Sequence, residues 1–75
     1  MKRATEMFES ALMLEPKSAE LNYNAGLLYF DLGNYARARS LAHVAYDNGF
    51  PLPGLRTRLE KAGQWVEPAH QDRAN

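Results

Sequence analysis

Apolar residues in this chain return every three to four positions, in four runs separated by short polar or proline-containing breaks. The first run holds Ala4, Met7, Phe8, Ala11, Leu12 and Leu14, with Lys2, Glu6 and Glu9 among them on the polar side. That spacing predicts an amphipathic helix. Pro16 stops it, because the residue before a proline disfavours the helical region. Ser18 then offers an N-cap, with Glu20 in the first turn, where a carboxylate suits the helix dipole. The second helix is expected from about Ala19 to Leu32, and Gly33 ends it as a left-handed cap. Asn34 caps a third helix, roughly Tyr35 to Asn48, which Gly49 ends. Pro51 and Pro53 mark a turn before a fourth helix, about Gly54 to Ala62, with Leu55, Leu59 and Ala62 on one side and Gly63 at its end. Trp65 and Val66 follow. No alternating strand pattern competes. The pattern predicts an all-α domain over residues 1–66 and a flexible, solvated tail over residues 67–75.

Composition narrows the function. The 75 residues are 45% hydrophobic, enough for one domain near the size where a single core is marginal. The formal net charge of +0 argues against a dedicated nucleic-acid or acidic-membrane binder. There is no cysteine, which excludes disulfides and thiolate metal sites. No apolar run approaches the roughly 18 residues of a membrane helix. The start, MKRATEMFESALMLEP, is interrupted by Glu6, Glu9 and Glu15 and does not read as a secretory signal, which favours the cytoplasm.

Short helices joined by tight turns call for a search for a period. Ala4 and Ala38, Ala11 and Ala45, and Leu21 and Leu55 all recur at a spacing of about 34 residues. In this register the chain resembles the tetratricopeptide repeat family, an array of antiparallel helix–turn–helix units. Residues 1–16 resemble the second helix of one unit, through Ala4, Phe8, Ala11 and Pro16. Residues 19–51 resemble a whole unit, through Gly26, Tyr29, Gly33, Asn34, Tyr35, Ala38 and Ala45. Residues 53–63 resemble the first helix of a further unit, with Leu59 in its leucine position. The resemblance implies that Gly26 and Ala45 are small because two helices approach closely there, while Tyr29 and Tyr35 fill the space beside them. The departures are Asn22 for a bulky aromatic, Ala25 for a leucine, Ala42 for an aromatic and a terminal proline one residue late, at Pro51. The last helix has Glu60 and Gly63 where the family has its glycine and tyrosine, as suits a capping helix with a wet outer side.

The resemblance implies a protein-interaction module without catalysis or cofactor. In the family the first helix of each unit lines a concave groove, which places Glu20, Tyr23, Asn24, Leu27, Phe30 and Asp31 toward a bound peptide or partner helix. Relatives that clamp a C-terminal carboxylate use lysine, asparagine and arginine spread over three units. Only Asn24 matches that set, so this ligand is not expected.

The first helix has no helix before it, so Met7, Phe8, Leu12 and Leu14 cannot all be covered by the helix that follows. Either the chain is part of a longer array or another copy covers this face; the expectation is self-association as a homo-oligomer, and a self-assembling structural fragment is an alternative reading. The first half of the chain is net acidic and residues 36–61 net basic, a minor aid to assembly once salt screens it. Nucleic-acid binding through Arg37, Arg39, Arg56, Arg58 and Lys61 is a further alternative. It is disfavoured because Arg37 and Arg39 point to different sides of one helix. His43 and Asp47 lie one turn apart, the spacing of a metal or acid/base pair. They lack a third ligand and are better explained as a solvent-facing pair, so no metal site is expected.

Overall fold

Local turn chemistry sets the boundaries of four helices. The structure, a computed structural model, describes residues 2–66, so the expected flexible tail, with His70, lies outside the described residues. The helices are α1 (Lys2–Leu14), α2 (Ala19–Asp31), α3 (Tyr35–Asp47) and α4 (Gly54–Lys61), and there is no strand among the described residues. Helices α2, α3 and α4 each end one residue before the expected position.

Ser18 caps α2: its Oγ accepts the Leu21 N–H at 3.2 Å. At the other end Gly33 turns the chain at φ +83°, a value that a β-carbon would strain. The Gly33 N–H reaches the Phe30 carbonyl and the Asn34 N–H reaches that of Tyr29, which together satisfy two of the open carbonyls of the last turn. Asn34 then starts α3, its Oδ1 accepting the Arg37 N–H at 3.1 Å. The same glycine-centred exit recurs after α3 and α4.

Asn22 latches the turn between α1 and α2. It is only 2% exposed, and its Nδ2 donates to the carbonyls of Pro16 at 3.1 Å and Ser18 at 2.8 Å. A polar group stands in an aromatic position here because two turn carbonyls need its protons. It does not replace the volume of a ring, and a cleft of about 290 Å³ opens beside it, lined by Leu12, Met13, Leu41 and Val44.

The core has two parts. Tyr23, Ala38, Ala42, Ala45, Leu55 and Leu59 join α2, α3 and α4, while Leu12, Ala25 and Leu41 join α1 to the same pair. Tyr29 packs against both. The alanines let the α2 and α3 backbones approach. Gly26 fits the same scheme, but its closest neighbour is not Ala45. A β-carbon on Gly26 would stand 2.5 Å from Leu55 Cδ2 on α4, and 3.5 Å from both the Ala38 carbonyl and Leu41 Cβ on α3. The glycine therefore admits the following helix as well as its own partner.

Helix α4 begins after Pro53, which has no side-chain cap to offer. Tyr46 supplies the missing acceptor: its hydroxyl accepts the Arg56 N–H at 3.2 Å and donates to the Leu52 carbonyl at 2.8 Å. Burial, more than any other influence, holds the Tyr46 phenol above its ordinary value. The loop between α3 and α4 is thus folded back onto α3, and this sets where α4 docks.

Candidate functional site

The concave face expected on α2 is only partly open. Glu20, Asn24 and Asp31 are exposed, and Leu27 and Phe30 are half-buried against the core. Tyr23 belongs to the core: it is 9% exposed, stacks on Phe50 with ring centroids 4.1 Å apart, and meets Tyr46 edge-on at 6.4 Å. The folded-back loop that carries Phe50 covers it, so Tyr23 leaves the set of groove residues. Asp31 faces Arg58 of α4 at 3.5 Å, an exposed pair of little energetic weight.

The face of α1 is the more distinctive surface. Met7 and Leu14 are 66% and 83% exposed, and Phe8 is half-buried. Leu12 departs from the expectation of an uncovered residue. At 7% exposed it is core, because helical geometry turns it toward Ala25 and Leu41 and away from Met7. Ala4, Met7, Phe8 and Ala11 with Leu21 of α2 line an apolar groove of about 390 Å³.

One clamp holds α1 to the rest of the chain through charge. Glu9, expected simply on a polar face, accepts the Tyr29 hydroxyl at 2.7 Å and two guanidinium nitrogens of Arg37 at 2.8–3.1 Å. The Arg37 guanidinium also lies 5.7 Å from the centre of the Tyr29 ring. The Tyr29 hydrogen bond, then that of Arg37, lowers the Glu9 pKa below its ordinary 4.5, and the Glu9 contact raises that of Tyr29. A depressed carboxylate contributes stability that is full above its unfolded value and lost as pH falls through its folded value. Acidification below about pH 4.5 is therefore expected to loosen α1 first, visible as faster amide exchange in residues 3–14. Glu9→Gln should remove that acid response and cost about 1 kcal/mol at neutral pH, since both partners are more than a third exposed.

His43 is not the solvent-facing partner of Asp47. It is half-buried, its Nε2 hydrogen-bonds the Val66 carbonyl, and its ring meets Trp65 edge-on at 5.0 Å. Trp65 also lies against Tyr46, with Arg56 over its face at 5.1 Å, while Arg39 donates to the Gln64 carbonyl at 3.0 Å. Residues 64–66 thus close the outer side of α3 and α4. Among the described residues no three acidic or histidine side chains converge as a metal site would, and no helix is long and apolar enough to cross a membrane.

The spacing of small residues also ties the chain to known proteins. The family model described as tetratricopeptide repeat matches residues 1–45, which takes in α1, α2 and most of α3. Comparison with curated proteins and with solved structures gives no match. Four short helices, glycine-centred exits and alanines repeating in register agree with that match. The chain belongs to the tetratricopeptide repeat family, whose members serve in general as protein–protein interaction modules.

Proposed function

We propose that this chain is a protein-interaction module whose working surface is the groove between α1 and α2, and that it accepts a helix from a protein partner without catalysis. One observation carries this reading. On α3, Ala38 and Ala45 are fully covered, with α2 packed on the same helix. Their equivalents on α1, about one 34-residue period earlier, are Ala4 and Ala11, and these line an open apolar groove. The same small-residue seam occurs twice, once covered by α2 and once exposed on α1. A helix with a glycine or alanine at its point of closest approach has the shape to fill it, as Gly26 of α2 does at the filled copy.

A second contact is supported by the α2 face, where exposed Asn24 stands beside half-buried Leu27 and Phe30. An extended peptide could bury its side chains there while Asn24 bonds its backbone. The four arginines 37, 39, 56 and 58 each hold an internal acceptor, respectively Glu9, Gln64, Glu60 and Asp31, and this lends no support to a nucleic-acid surface.

The groove is tested with a fluorescent peptide of residues 18–33, which reproduces the helix that fills the α3 seam. Titration of the intact chain should give saturable binding by anisotropy. Ala11→Glu should weaken it at least about tenfold, the equivalent of roughly 1.4 kcal/mol, with an unchanged melting curve. No binding by the intact chain, or equal binding by the variant, rejects the groove.

A further inference from the structure

The open face of α1 is complementary to itself. Resting on the reading that this groove accepts a helix, we propose that its occupant is α1 of a second copy, docked antiparallel about a two-fold axis. Ala4, Met7, Ala11 and Leu14 follow the three-four-three spacing of a single helical seam. In a copy turned end for end, Ala4 faces the second copy's Leu14, and Met7 faces its Ala11. Every layer then sets one small residue against one large one, which fills space evenly. A parallel pair would set methionine on methionine and leucine on leucine, with alanine on alanine leaving gaps between them.

Charge favours the same orientation. Arg3 is exposed at the start of α1 and Glu15 is exposed just past its end. The antiparallel arrangement brings the basic start of each helix to the negative end of the other, where the helix dipole adds to the attraction. The α4 surface is more polar, although Leu52 and Val66 are exposed beside it. Thr57, Arg58, Glu60 and Lys61 are exposed on α4, and Trp65 lies over α3. A head-to-tail stack would need an apolar face there. A two-fold contact of this kind closes on itself and gives a pair.

The contact is small. A 13-residue helix is about 20 Å long, a strip well short of the roughly 800 Å² per partner in a stable interface. The pairing is therefore expected to be weak and concentration-dependent.

Sedimentation equilibrium of the intact chain should show its mass rise from 8.5 kDa toward twice that value with concentration. Met7→Glu should raise the dissociation constant at least about tenfold with no change in melting in dilute solution where the chain is a single copy, because Met7 is largely exposed there. The absence of cysteine allows a direct test of orientation. Ala4→Cys and Leu14→Cys chains, mixed and oxidised, should cross-link to each other several times more efficiently than Leu14→Cys does to itself. A concentration-independent mass of one chain overturns the pairing, and leaves the groove reading standing if the residue 18–33 peptide still binds. A dimer indifferent to Met7→Glu, or one in which Leu14→Cys prefers its own kind, overturns it equally.

Discussion

Replacing Gly26 with leucine is expected to leave most of the chain unfolded at room temperature. The β-carbon alone would stand 2.5 Å from a methyl of Leu55, a fully buried side chain that must shift to admit it. Three further carbons would have to enter the same seam, where the Ala38 carbonyl and Leu41 lie on the other side. Overpacking of this kind costs about 1–3 kcal/mol when side chains can yield, and more when backbone blocks them. A domain this small holds only about 5 kcal/mol in total. Gly26→Ala is the control. Its single methyl pushes on the far end of the Leu55 side chain, while alanine gains about 1 kcal/mol in helix propensity, so its net change should stay within about 1 kcal/mol. Thermal melts by circular dichroism decide it. If Gly26→Leu melts with the parent chain, α4 does not dock on α2 as described.

Tyr23→Ala should cost about 3–5 kcal/mol, the range for removing a buried aromatic ring, and should release α4 before the α2–α3 pair. Tyr23 is the piece on which the loop closes. Phe50 stacks on one side of it, Tyr46 meets its edge, and its hydroxyl fills the space that a β-carbon on Gly54 would occupy. Without the ring, Phe50 and Leu55 lose their shared neighbour. Tyr23→Phe keeps the ring and should stay within about 1 kcal/mol. Amide exchange separates the outcomes: protection lost across residues 54–61 with α2 and α3 retained supports this account. Full protection in Tyr23→Ala would return Tyr23 to the open face where the sequence pattern puts it.

The helices and their ends could be read from sequence because each is set within a few residues. Ser18, Asn34 and the glycines at 33 and 49 act on backbone groups three to five positions away. The exposure of Met7 and Leu14 on α1 could also be read from their apolar run, whereas the groove beside them, lined by Ala4, Ala11 and Leu21, did not follow from it. Tyr23 was misplaced because its cover arrives with a loop that Tyr46 folds back through the Leu52 carbonyl, a contact that no helical period encodes. Leu12 was misplaced for a related reason. It shares an apolar run with Met7 and Leu14 but turns inward, and a run does not say how many sides of a helix are covered. The Glu9 clamp escapes local reading altogether, since its partners lie 20 and 28 residues further on.

Trp65 is the one tryptophan in the chain, and it rests among His43, Tyr46 and Arg56 in a cluster that α1 does not join. Its emission is therefore a gauge of one end of the molecule. The emission of an indole packed against an imidazole and a phenol changes when residues 64–66 lift away into water, whereas separation of α1 leaves the indole's surroundings unchanged. Helical dichroism weights all four helices by length and has no such preference. The chain thus carries its tryptophan label at the α3–α4 end, and its α1 end is silent in tryptophan fluorescence.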